Sequence, residues 1–271
     1  MSKLVWYVMA AAVVEALGSV PAVAQPPAGA IAGWNRVVAA VEHERATQRL
    51  AATDGRFLEI DFEPHGRETR RAVTAGAIVV DSVEPPPVNG HDIATPGATV
   101  QRWRGIVYLP GIGLNTLLSR LETTPPADED VLRSAVLSHG EHEMRVYLRL
   151  QRRKIVTVVF DSEHDVRFER FSQTRAASTS IATRIVEVRD AGQPTEAEYA
   201  PGTDHGFLWK LNAYWRYEQV DGGVIAECES ISLSRTVPFL LRPVAGPIVN
   251  SIARESLERT LNAIRTYARP S

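Results

Sequence analysis

Phe207-Leu-Trp-Lys-Leu-Asn-Ala-Tyr-Trp-Arg-Tyr-Glu-Gln219 and Val224-Ile-Ala-Glu-Cys-Glu-Ser-Ile-Ser-Leu-Ser-Arg235 are two alternating runs separated by Asp221-Gly-Gly223. Alternation of period two places every second side chain on one face of a strand, and Asp-Gly-Gly between such runs predicts a tight hairpin. The chain then passes Pro238, Pro243 and Pro247 into a pattern of a different period. Val249, Ile252, Ala253, Leu257, Leu261, Ile264 and Ala268 fall on one helical stripe, with Arg254, Glu255, Glu258, Arg259 and Arg265 on the rest. A helix of about 21 residues rises ~1.5 Å per residue and reaches roughly 30 Å, enough to cross a whole sheet. It cannot bury its stripe alone. The expected fold class is therefore α+β, with a curved antiparallel sheet wrapped around a long C-terminal helix.

Upstream, residues 144–150 alternate Val146, Leu148 and Leu150 with Arg145, Tyr147 and Arg149. Strands are expected at 154–160, 164–171 and 178–189, with a turn at 151–153 and a long loop over 190–206. Residues 100–109 read as a strand ended by Pro110-Gly111, and Leu114, Leu117, Leu118 and Leu121 as a short helix. Residues 128–137 are expected to hold a second short helix running into a strand. Before this block, residues 31–50 carry Ile31, Trp34, Val37, Val38 and Val41 at helical spacing. Phe57, Ile60 and Phe62 suggest a short strand, and residues 72–84 another. The organisation expected is a leader over 1–24, an extension over 25–98 docked on the main domain, and a main domain over 99–271.

The hairpin also offers chemistry. Strict alternation puts Ile225, Glu227, Glu229, Ile231 and Leu233 on one face and Ala226, Cys228, Ser230, Ser232 and Ser234 on the other. If the larger apolar residues face the interior, both carboxylates do too. A buried carboxylate costs several kcal/mol unless it is paired or hydrogen-bonded, and Arg184 in the 181–188 run is a candidate partner. Glu227 and Glu229 then anchor a ligand's polar end, form an acid–base pair, join an internal salt bridge, or turn to solvent at a bulge. Asp204-His205, Glu163-His164-Asp165 and His139-Gly-Glu-His142 are short clusters without a third catalytic or metal-ligating partner in view. Cys228 reads as a small structural residue.

The order of elements over 99–268 resembles the helix-grip fold of the START-like lipid-transfer and polyketide cyclase superfamily. The matching stretches are Trp103-Arg-Gly-Ile-Val-Tyr-Leu-Pro-Gly111 leading into a helix, Val146-Tyr-Leu-Arg-Leu150, Gly206 to Tyr217, and Cys228 to Arg235 followed by the last helix. The resemblance implies a hydrophobic or amphipathic small molecule bound between sheet and helix, with no universal catalytic motif to carry over. The ligand-binding residues expected are Val146, Leu148, Trp209, Leu211, Trp215, Ile231, Leu257 and Leu261, with Arg184, Glu227 and Glu229 at the polar end. No catalytic residue, metal ligand or cofactor is assigned. A cyclase- or hydrolase-like enzyme using the same carboxylates, and a filled-core protein acting through a surface contact, are the alternative functions.

The chain has 271 residues, 44 % hydrophobic and 23 % charged, with a formal net charge of −2. These values exclude a disordered or collagenous chain and give no electrostatic reason for nucleic acid as a partner. Its single cysteine excludes an intramolecular disulfide. Lys3, the apolar run from Leu4 to Val14 and the Ala22-Val23-Ala24 ending read as a secretory signal, although Glu15 interrupts the pattern. An exported protein that makes transient membrane contact is expected.

Overall fold

The computed structural model describes residues 25–53, 55–126, 128–153, 157–236 and 242–269. The expected leader lies outside these residues, as does the Val249 side chain. In chain order the elements are α1 (Ala28–Leu50), a 3-10 turn (Glu59–Phe62), α2 (Gly66–Thr74), β1 (Val79–Ser82), β2 (Ala98–Pro110) and α3 (Leu114–Leu121). Six strands follow: β3 (Val131–His139), β4 (Glu143–Arg153), β5 (Thr157–Arg170), β6 (Arg175–Arg189), β7 (Ala197–Glu198) and β8 (Lys210–Val220). β9 (Gly223–Arg235) and the long α4 (Arg242–Tyr267) close the chain. The strands form one curved antiparallel sheet in the order β1-β2-β9-β8-β6-β5-β4-β3, with β7 on β6. With α4 against one face, the architecture is the expected helix-grip α+β fold with an N-terminal helical extension.

Several local expectations change. Phe57, Ile60 and Phe62 belong to a loop and 3-10 turn rather than a strand, and residues 66–74 are helix before the chain enters β1. Residues 128–130 lead into β3 without the short helix expected there. Residues 164–170 continue β5 instead of forming a separate strand.

The helix sits where the sheet has no side chain to obstruct it. Gly105 is in mid-β2, and a Cβ there would lie 2.5 Å from Leu261 Cδ1 and 3.0 Å from Leu257 Cγ. Gly105 pairs with Cys228, and Val107 with Ala226, so small residues continue the seat onto β9. Leu257, Leu261 and Ile264 join these residues, Leu117 and Tyr217 in one core.

Over β2, β9 and β8 the sheet is covered on its other face as well. Ile231 and Leu233 pack with Ala30, Trp34, Val37 and Val41 of α1. Ile106 and Ile225 pack with Phe57, Leu58, Ile60 and Val73. Between these two apolar patches lies a buried layer of charge. Glu229 pairs with Arg102 and, at 2.9 Å, with Arg45 of α1. Arg102 also reaches Glu59 at 3.0 Å and Glu44 at 2.9 Å. Glu227 accepts the backbone N–H groups of Glu59 at 2.6 Å and Ile60 at 3.0 Å. Arg216 donates to the Phe57 carbonyl at 2.9 Å and to Gln48 at 2.7 Å. The extension thus supplies partners that the sheet's own charges lack.

Two measurements test this packing. Leu261 is fully buried, whereas Leu257 borders open space. Leu261→Ala should lower unfolding free energy by roughly 2–5 kcal/mol in denaturant titration, with Leu257→Ala costing less. Glu59 is pushed up from 4.5 to about 8 by burial, with the Glu229 and Glu227 charges beside it. Between pH 4.5 and 8 the folded protein then holds a proton that the unfolded chain has released, so this contribution to stability falls as pH rises through that window. Glu59→Gln should flatten the stability profile there and raise stability relative to the parent above pH 8. An unchanged slope would assign the titration elsewhere.

Candidate functional site: a cavity between the sheet and the last helix

Away from the Gly105 seat, the sheet and α4 separate around a cavity of about 480 Å³. This lies within the range of about 300–1,000 Å³ typical of small-molecule sites. Ile252, Ala253, Leu257 and Ile264 of α4 form its roof. Met144, Val146 and Leu148 of β4 and Phe160 and Val166 of β5 form one wall. Trp103 of β2 and Leu211, Ala213 and Trp215 of β8 line the opposite part of the sheet. Hydroxyl groups interrupt this apolar surface at Ser178 and Ser180 of β6 and at Ser230, Ser232 and Ser234 of β9.

The expected ligand residues divide into two sets. Val146, Leu148, Leu211, Trp215 and Leu257 line the cavity. Leu261 instead fills the closed core beside it. Trp209 precedes β8 and packs with the α1 cluster. Glu227, Glu229 and Ile231 face the extension, not the cavity, because both faces of β9 are buried and the small-residue face is the one beneath α4. They do not line the cavity.

Arg184 is excluded by a bulge. Glu163 pairs with Arg184 and His164 with Ala182, leaving Thr183 as an extra residue in β6. One inserted residue exchanges the two faces of the strand beyond it. Ser178, Ser180 and Ala182 face inward, whereas Arg184 turns outward beside Glu163 and pairs with Glu198. The same exchange brings Glu187 inward opposite Phe160, where it is buried and accepts His205 Nδ1–H at 2.8 Å and the His205 backbone N–H at 2.9 Å. His205 thus meets Glu187 rather than the adjacent Asp204, whose carboxylate caps Gly206 N–H at 2.9 Å.

The charges at one end of the lining are matched. Asp130 pairs with Arg152 at 3.0 Å and with Arg259 at 2.8 Å, while Asp128 accepts the Thr260 hydroxyl at 2.9 Å. Burial lowers the pKa of Arg152.

His164, by contrast, lies among neutral groups. Its Nε2 is 3.1 Å from Ser162 Oγ and its Nδ1 is 3.3 Å from Ser180 Oγ. Ser162 donates its only hydroxyl proton to the Leu148 carbonyl at 3.0 Å. The assignment that satisfies all three contacts gives His164 an Nε2–H donated to Ser162 and an Nδ1 that accepts from Ser180. Burial lowers His164 from 6.5 to about 4, opposed by the Asp165 charge. Such an imidazole is neutral at physiological pH and a weak base, and neither ring nitrogen meets an acid that would orient it for catalysis. The Cys228 thiol is buried, and its pKa is pushed upward. Among the described residues, no group of three or more His, Cys, Asp or Glu side chains could hold a metal ion.

No family model and no curated protein matches the sequence. Similar solved structures include a STAR-related lipid transfer protein from Xanthomonas axonopodis, 16 % identical, covering 70 % of this chain and 99 % of that one at a TM-score of 0.45. The human StarD13 lipid transfer and protein localization domain is 9 % identical and covers 78 % and 99 %, at 0.41. The Zhui aromatase/cyclase from Streptomyces is 14 % identical and covers 63 % and 94 %, at 0.38. The likeness is one of fold.

His164 makes the cavity floor sensitive to acid. The unfolded chain takes up a proton near pH 6.5, whereas the folded protein resists until about 4. Stability should therefore fall as pH drops from 6.5 to 4. His164→Phe should remove that part of the slope in denaturant titrations at stepped pH. A slope unchanged by the substitution would contradict the buried neutral state.

Proposed function

We propose that the protein binds one hydrophobic or amphipathic small molecule in this cavity and acts by carrying or sequestering it. The observation that carries the reading is the partly open space of about 480 Å³ with mainly apolar walls, framed by five of the residues expected to bind a ligand. Apolar walls replace water around the ligand, and that transfer favours binding by about 25 cal/mol per Å² of apolar surface removed from water. A molecule of this solubility comes from a membrane or another carrier, so transient membrane contact belongs to the same reading. Export is part of the proposal too, and rests on Lys3, the apolar run and Ala22-Val23-Ala24.

One preparation tests these points. Protein recovered from the medium or periplasm should begin at Gln25, and solvent extraction followed by mass spectrometry should release a stoichiometric apolar compound. Ala213→Phe, which fills the floor between Ser180 and Ser230, should fold but release none. Equal release from both proteins would place the compound outside the cavity. An intact Met1 on a membrane-bound form would overturn cleavage.

A further inference from the structure

The cavity's polar groups are arranged asymmetrically, and their hydrogen bonding limits what they can recognise. Ser180 of β6, Ala213 of β8 and Ser230 of β9 are directly opposite one another across three strands. At a strand spacing of about 4.8 Å, Ser180 and Ser230 stand roughly 10 Å apart, with only the Ala213 methyl between them. Ser232 lies two residues along β9, about 7 Å from Ser230. This is a shallow floor on which ligand atoms can reach the sheet, below a roof of Ala253, Leu257 and Ile264.

The hydroxyls on this floor are not equivalent. The Ser180 proton is directed to His164 Nδ1, because His164 Nε2–H is taken by Ser162 and Ser162 is anchored on the Leu148 carbonyl. Ser180 Oγ therefore offers only lone pairs to a ligand. The chain of three bonds ends on a backbone carbonyl and leaves no proton to redirect. Burial of His164 removes the charged form that would reverse the polarity. Ser230, Ser232 and Ser234 make no side-chain hydrogen bond to a described residue, so they remain free to donate or accept. A full charge finds no counterpart here: the lining's Asp128, Asp130 and Arg152 are at the other end and already engaged.

We propose that the cavity selects an uncharged apolar molecule carrying a hydroxyl group, and that Ser180, held as an acceptor by His164, reads that hydroxyl while the β9 serines receive further oxygens. This rests on the binding reading above and narrows it. The anion of a fatty acid lacks the proton that Ser180 requires and brings a charge that the floor does not balance. An ether or ester of the same size offers acceptors only.

The test uses two isomers, 1-dodecanol and methyl undecyl ether, with dodecanoate as the charged comparison. Titration into the full mature protein is followed by Trp emission, since Trp103 and Trp215 line the cavity. The alcohol should bind about fivefold more tightly than the ether, the scale of one net hydrogen bond, and dodecanoate should be the weakest. Ser180→Val removes the acceptor and shields His164 Nδ1 with its methyl groups. It should bring the isomers within about twofold of one another while leaving ether binding nearly unchanged; Ser180→Thr should keep the preference. Should Ser180→Val fail to fold, the isomer comparison in the parent protein still decides. Equal binding of the isomers there, or a preference that survives Ser180→Val, would overturn the assignment of Ser180 while leaving hydrophobic binding intact. No saturable change with any of the three probes, together with no co-purified compound, would overturn the binding reading itself.

Discussion

The approach of Leu261 and Leu257 to Gly105 governs the rest of the molecule. It sets α4 down on β2 without an intervening side chain, so the helix is held close along the β1–β2 side of the sheet. The sheet curves away from that line toward β4 and β3, and the gap becomes the cavity. A closed core and an open pocket thus share one helix. Leu261 belongs wholly to the first, and Leu257 contributes to both.

This seat requires small residues on the inner faces of β2 and β9, and those residues determine what lies on the outer faces. Gly105, Ala226 and Cys228 face the helix, so Arg102, Arg104, Glu227 and Glu229 face the other way. Left bare, that surface would be a charged band on an otherwise apolar sheet. Covered by the extension, the Arg102–Glu229 pair is tied to Arg45 and Glu44, and Arg102 donates a hydrogen bond to Glu59. Replacing Glu229 strands the charge of Arg102, and breaking a buried pair in this way typically costs about 3–5 kcal/mol. The extension is integral to the packing of the sheet.

The cavity is chemically two-sided for the same geometric reason. The small residues that admit the helix continue along β9 and β6 as serines, while the strands farther from the seat carry Val146, Leu148, Phe160 and Val166. At this floor the polar groups are hydroxyls, the Gln101 amide and one neutral imidazole, while Asp128, Asp130 and Arg152 are paired at the far end of the lining. Neither Glu227 nor Glu229 takes part, and the buried carboxylate that does turn inward, Glu187, is engaged by His205.

The sequence by itself determined the period of each element, and that was enough for the architecture. The 210–219 part of the first alternating run became β8, the 224–235 run β9 and the apolar stripe after Pro247 part of α4, and Val146, Leu148, Leu211, Trp215 and Leu257 were recognisable as interior positions. Alternation tells which residues share a face, but not which face meets which neighbour when both are buried. On β9 Ile231 and Leu233 faced α1, an element more than 170 positions earlier in the chain. Register is likewise a property of two strands. Nothing local to Thr183 announces that it will be left over against β5, yet that one residue sends Arg184 out and Glu187 in. The partners of Glu227 and Glu229, the acceptor state of Ser180 and the neutrality of His164 depend on contacts between distant strands. Only the tertiary structure decided them, because hydrogen-bond direction and burial follow from which groups are brought together and not from their order along the chain.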